Sequence, residues 1–238
     1  MAYREATRVH TSVLAEAEKR LLVRLAHRLP GWVTSDHLTV LAGIAMLGAG
    51  ICYWNGAPAA LVGAIALLAV NWFGDSLDGT VARVRHHERP RYGFYVDHVL
   101  DVLGILFLVA GLVLGGHVSA AVGAGFLLAY YLLMIEIALA THAVGTFRIS
   151  YWKFGPTELR ILLAIGTLQL LRSDVVVIAG HRLLLFDVGM AIGMVGVVAT
   201  FVASAASNTR ALYVAEPLPG ASPPRASEAS RGAAIIEA

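Results

Sequence analysis

Apolar residues run along this chain in six stretches, over 37–55, 58–80, 93–115, 118–143, 156–173 and 183–206. Each is close to the ~20 residues a helix needs to cross a bilayer, so six transmembrane helices are expected. Short Gly-containing connections follow the first and third stretches, at Asn55-Gly56-Ala57-Pro58 and Gly115-Gly116-His117. Ahead of the first, residues 3–29 interleave Val9, Val13, Leu14, Leu21, Leu22, Leu25 and Leu29 with acidic and basic positions. That pattern predicts an amphipathic helix, either lying on a leaflet with its basic residues near anionic headgroups or solvated and packed on the bundle. Thr34, Ser35 or Asp36 is placed to cap the first span. From Ala215 onward Pro, Ser, Ala and Gly dominate, as in a disordered tail. The expected architecture is an all-α integral membrane protein with an N-terminal amphipathic juxtamembrane helix. It divides into a juxtamembrane segment over 1–35, a membrane domain over 36–208 and a tail over 209–238.

Composition agrees with that pattern. Apolar residues make up 58% and charged residues 14%, against roughly 45–50% and 25% in soluble domains. Mean hydropathy is +0.71. The single cysteine, Cys52, excludes an internal disulfide and reads as packing inside an apolar run. No signal peptide is expected, because the first 35 residues are charged and the first long apolar run begins only near Leu38.

Basic residues give an orientation. The N-terminal segment carries six (Arg4, Arg8, Lys19, Arg20, Arg24, Arg28) and the second connection four (Arg83, Arg85, Arg89, Arg91). The fourth adds Arg148, Lys153 and Arg160, the fifth only Arg172 and Arg182, and the first and third none. Under the positive-inside rule this alternation places both termini in the cytoplasm of an inner membrane. It also places residues 75–101 at the cytoplasmic ends of the second and third spans. Membrane lipids are the expected surroundings, and no nucleic-acid partner is expected.

The chemistry concentrates in that stretch. Asp75 and Asp78 stand at i, i+3, and Asp97 and Asp101 at i, i+4, so each pair shares a helix face. A carboxylate at membrane depth costs ~2.5–3.5 kcal/mol, and four together on the order of 10 kcal/mol, unless charge is offset. Divalent metal bound by oxygen ligands supplies that offset. With Asp75 and Asp78 near the end of one helix and Asp97 and Asp101 near the start of the next, two ions ~3.5–4 Å apart would be neutralised and would clamp a phosphoryl group. Gly79 and Gly93 remove bulk beside the acids, Ala82 is small, and Arg83 is a bidentate phosphate partner. Each Gly or Arg alone reads equally as helix packing or an interface anchor. Packing alone does not ask for four acids.

The run resembles the signature of the CDP-alcohol phosphotransferase family, D-x-x-D-G-x-x-A-R, eight or nine residues, then G-x-x-x-D-x-x-x-D. All eight fixed positions are present, over about a ninth of the chain. The six-span layout extends the likeness to about residue 206. The segment Thr34-Ser35-Asp36-His37-Leu38-Thr39 resembles the family's P-N-x-x-T, with Ser-Asp in place of Pro-Asn. The resemblance implies an enzyme of phospholipid biosynthesis that cleaves the pyrophosphate of a CDP-linked alcohol, releases CMP and joins the phosphoalcohol to an acceptor hydroxyl. It implies that Asp75, Asp78, Asp97 and Asp101 hold Mg²⁺ or Mn²⁺, two ions, and that Asp101 is also the general base. Asp78, Gly79, Ala82, Arg83 and Gly93 would lie against the CDP moiety, and a homodimer would fit. CDP-diacylglycerol is the first-choice donor, with CDP-choline or CDP-ethanolamine and diacylglycerol as the alternative on the strength of Asp97-His98.

Other polar groups admit two readings each. Arg148, Lys153 and Arg160 would receive an anionic acceptor or lipid phosphate, or serve as positive-inside anchors. Glu136 and His142 lie in the fourth apolar run, for a substrate pocket or an interhelical hydrogen bond. Asn71 packs or donates to the acids, and His86 and His87 read as a solvated loop. Two other functions compete: an intramembrane prenyltransferase, whose paired acidic motifs Asn71-x-x-x-Asp75 and Asp97-x-x-x-Asp101 imitate, and a divalent-cation carrier.

Overall fold

Apolar runs bounded by Gly and Pro become helices that pack through their small residues. The computed structural model describes residues 7–9, 15–144, 146–148 and 156–216. The order is β1 (Thr7–Val9), α1 (Ala15–Arg28), α2 (Ser35–Asn55), α3 (Pro58–Val84), α4 (Pro90–Leu114), α5 (Ala120–Ala143), β2 (Thr146–Arg148), α6 (Pro156–Leu170), β3 (Val175–Ile178), β4 (His181–Leu184) and α7 (Leu185–Ala215). Among the described residues five helices, α2, α3, α4, α5 and α7, are long and apolar enough to cross a membrane. This is the architecture of a helical membrane protein. The apolar run at 156–173 forms α6 of 15 residues, about 22 Å long against a ~30 Å hydrocarbon core.

Local chemistry sets the ends. Thr34 caps α2 through a capping box: its hydroxyl accepts from the His37 N–H at 3.3 Å while His37 Nδ1 accepts from the Thr34 N–H at 3.2 Å. Gly56 closes the same helix in the left-handed region, at φ 69°. Pro58 and Pro90 then open α3 and α4, where a missing N–H costs nothing. Asp187 of α7 accepts from the Ser119 N–H at 2.7 Å, so one of the open N–H groups at the start of α5 is satisfied from another helix.

Three helices cross at backbone contact. A Cβ added to Gly111 of α4 would strike the Gly50 carbonyl of α2, and one added to Gly50 would strike the Phe107 carbonyl. Gly74 of α3 lies against Leu38 and Ala42 of α2 in the same way. Small residues let membrane helices approach this closely. Around the crossing Tyr53, Leu68, Leu108 and Leu112 form the main core, and the Tyr53 hydroxyl meets Thr167 of α6 at 2.6 Å. Gly111→Leu is therefore expected to separate α2 from α4 and destabilise the protein by at least ~1–3 kcal/mol. A thermal melt in detergent checks this, and an unchanged melt would rule out the close crossing.

Helix α1 packs on α3, with Leu22 and Ala26 buried against Leu77 and Val81. Arg85, just past α3, donates to the carbonyls of Leu29, Pro30, Gly31 and Val33. That guanidinium takes up carbonyls of the connection that follows α1.

Two short ribbons accompany the helices: β1 pairs in parallel with β2, and β3 pairs antiparallel with β4. The second ribbon follows from the β-branched run Val175-Val-Val-Ile178 and a two-residue turn, Ala179 and Gly180, both at positive φ. That turn matches the twist of the strands it joins. The helix expected over 3–29 starts only at Ala15, because residues 7–9 are extended and paired with 146–148. Helix α7 runs past residue 208 to Ala215 and stops where Glu216 precedes Pro217, since a residue before proline avoids the helical region. Residues 217–238 of the expected tail lie outside the described residues.

Candidate active site

Helix periodicity places the acids. Asp75 and Asp78 stand in the last three turns of α3, and Asp97 and Asp101 in the third and fourth turns of α4. The antiparallel helices carry one carboxylate oxygen each of Asp75, Asp97 and Asp101 to within 4.8 Å of one another. All three are half-buried. Asp78 faces the same cavity, but its Oδ2 accepts from the Thr39 hydroxyl at 2.6 Å and its Oδ1 from the Gly79 N–H.

The cavity has a volume of about 110 Å³ and is lined from five helices, α2 to α6. Beside the acids it is lined by the apolar Met46, Leu68, Leu100, Ile105 and Leu108, with Tyr130 from α5. Arg160 of α6 enters beside the acids. Its guanidinium donates to Asp75 Oδ2 at 2.5 Å and, through Nε, to Asn71 Oδ1 at 2.7 Å. Asn71 in turn donates to the Ala42 carbonyl at 3.1 Å. One of the three clustered carboxylates is thus paired with a cation within the protein, and Asp97 and Asp101 bring further oxygen donors to the same poorly solvated place. Hard oxygen donors with residual negative charge are the set Mg²⁺ and Mn²⁺ prefer. The residues present fit such an ion.

The other candidates fall in different places. Gly79 lies under the guanidinium of Arg83, which donates to the Thr80 hydroxyl at 3.2 Å. Ala82 lines a second cavity of about 500 Å³ at the same end of the bundle, with Thr34, Asp36, Arg85 and Arg89. There Arg89 pairs with Asp36 at 2.5 Å. A Cβ at Gly93 would meet open space. The backbone of Arg148 pairs with Val9, and nothing is described of its side chain; Lys153 lies outside the described residues. Glu136 is buried and accepts from Asn208 of α7 at 2.8 Å, an interhelical hydrogen bond away from both cavities. His142, His86 and His87 are exposed. His98 donates through Nδ1 to the Phe94 carbonyl at 2.9 Å and stacks on that ring.

Asn71, read as packing or donating to the acids, donates instead to the Ala42 carbonyl and accepts from Arg160. Sequence reasoning missed the part played by Thr39 and the entry of Tyr130. Thr39 had a visible signal, inside a recognised segment. Tyr130 had none.

Two comparisons bear on this arrangement. The sequence profile of the CDP-alcohol phosphatidyltransferase family matches residues 32–204. Archaetidylinositol phosphate synthase of Methanothermobacter thermautotrophicus is 26% identical over 162 residues, which is 68% of this chain and 72% of that one.

Proposed function

As this chain belongs to the CDP-alcohol phosphatidyltransferase family and is a transferase of phosphate-containing groups, we propose that it moves the phosphatidyl group of CDP-diacylglycerol onto an acceptor hydroxyl and releases CMP. The carrying observation is the convergence of Asp75, Asp97 and Asp101 in a cavity otherwise lined largely by apolar residues. The acids suit a metal-bound pyrophosphate, and the apolar lining suits the start of an acyl chain. Family membership sets aside the prenyltransferase and the carrier.

Asp75, Asp78, Asp97 and Asp101 would hold Mg²⁺ or Mn²⁺. When bound, the metal withdraws charge from the transferring phosphoryl group and from the departing CMP. Asp101 takes the acceptor's proton as its oxygen bonds to the phosphorus bearing diacylglycerol. The bond from that phosphorus to the CMP oxygen breaks, and CMP leaves. Arg83 contacts donor phosphate, while Asp78, Gly79, Ala82 and Gly93 leave room for the nucleotide.

Arg160 meets the anionic end of the acceptor, with Arg148 and Lys153 from the preceding segment. A basic group in the cavity and a relative whose name specifies an inositol phosphate lipid both support an inositol phosphate acceptor. In this reading α6 is the sixth span and α1 lies on the cytoplasmic leaflet. The acids then face the cytoplasm of the inner membrane, as do both termini, and two copies pair.

The test is CMP release by the purified protein in detergent with Mg²⁺, using CDP-diacylglycerol and a panel of alcohols. We expect metal-dependent release that requires one acceptor, inositol phosphate ahead of inositol. Release only from CDP-choline or CDP-ethanolamine with diacylglycerol would move the donor to that alternative. No release from any pair by folded, metal-loaded protein would sink the reading.

A further inference from the structure

Glu18, on α1, accepts from three side chains on two other helices. Its Oε1 takes the indole N–H of Trp72 at 2.7 Å and the hydroxyl of Ser76 at 3.0 Å, both on α3. The Thr157 hydroxyl of α6 donates to the same carboxylate, at 3.0 Å to Oε1 and 3.2 Å to Oε2. A half-buried carboxylate with several donors is strongly oriented, because charge-assisted hydrogen bonds are roughly twice as strong as neutral ones.

The spacing of these residues explains what the network does. On α3, Asn71 and Asp75 form one i, i+4 stripe and Trp72 and Ser76 the neighbouring one. Arg160 binds the first stripe and Glu18 the second. Thr157 and Arg160 stand one turn apart at the start of α6. The side of α6 that reaches the acids is therefore latched one turn earlier to α1, and through α1 to the back of the same α3 segment.

We infer that Glu18 is a positioning residue for the catalytic centre: it holds the first turns of α6 against α3 and so fixes the Arg160 guanidinium on Asp75. The consequence is that α1 is part of the site's scaffold. Its far end is fastened to the end of α3 by Arg85, so both ends of α1 are tied to the helix that carries Asp75 and Asp78. The effect on catalysis rests on the proposed function, with Arg160 meeting an anionic acceptor. The latch itself does not.

The experiment uses the full chain and two readouts. Hydrogen exchange over residues 156–163 reports the latch without turnover, and steady-state CMP release reports its consequence. In Glu18→Ala, exchange over 156–163 should quicken while the α2–α4 crossing stays protected. The KM for the acceptor should rise about 10-fold with kcat within about 3-fold, as expected when a group that binds ground and transition states alike is displaced. Glu18→Gln keeps an acceptor oxygen and should restore most of the affinity. In an Arg160→Ala background Glu18→Ala should add nothing. Thr157→Val, which cuts only the α6 end, should reproduce the effect and serves if Glu18→Ala fails to fold.

Unchanged exchange would overturn the latch. Faster exchange with an unaltered KM, or effects of Glu18→Ala and Arg160→Ala that simply multiply, would overturn the positioning role. If wild-type protein releases no CMP from any pair, the proposed function fails, and the exchange result still decides whether Glu18 holds α6.

Discussion

Asp101→Asn is expected to lower CMP release by about 10²–10⁴-fold, the range a positioned general base contributes. Asn keeps the shape of Asp and one oxygen donor but cannot accept the acceptor's proton. Asp101 lies within 4.8 Å of Asp75 and Asp97 by its nearest oxygen, so the change also removes one acid from the cluster. Asp75, Asp97 and Asp78 remain, and binding of the CDP-linked donor should fall far less than turnover. The measurement pairs equilibrium binding of a CDP-linked lipid with steady-state CMP release. Donor binding lost in parallel with turnover would make Asp101 chiefly a metal ligand. Turnover like that of the wild type would remove it as the base.

Asp97→Ala should abolish metal-dependent activity and reverse a stability effect at the same time. Arg160 pairs with Asp75, and Asp97 and Asp101 crowd beside it in a poorly solvated cavity. Without metal, gathering three acids there opposes folding, either as repulsion or as the cost of protonating one of them, so removing Asp97 should raise the melting temperature of the metal-free protein. Metal should reverse the order. A ligand that binds only the folded state stabilises it by ≈ 2.7 kcal/mol at a hundred times its Kd. Wild-type protein should gain such a shift with Mg²⁺ or Mn²⁺, while Asp97→Ala should not respond. Thermal melts with and without metal decide the point. A full metal-induced shift in Asp97→Ala would exclude Asp97 as a ligand, whatever its activity.

Both expectations use features that differ in how visible they are along the chain. The acid pairs at 75/78 and 97/101 were legible because helical periodicity turns i, i+3 and i, i+4 into a shared face. The apolar runs were legible because bilayer thickness fixes their length. Four spans, over 37–55, 58–80, 93–115 and 118–143, correspond to α2–α5 within four residues at each end. The ribbon at 175–184 went unread: residues 174–182 stood as the fifth connection and 183–184 as the start of the last span. Its signal was chemical: a β-branched run ahead of Ala-Gly.

Local pattern by itself determined that this is a helical membrane protein with carboxylates gathered where two successive helices meet near a basic connection. It could not determine which faces of distant helices touch. Arg160 and Asp75 are 85 positions apart, and Glu18 and Thr157 are 139 apart. In the sequence Arg160 is equally an interface anchor and Glu18 one more charge on an amphipathic helix. Only the tertiary structure separated Asp78, bonded to Thr39, from the three acids that converge, and only it drew Arg160 in beside them. The reason is physical: periodicity specifies a face within one helix, whereas the pairing of faces depends on backbone approach at positions such as Gly50, Gly74 and Gly111, and nothing in their neighbours along the chain identifies the helix they will meet.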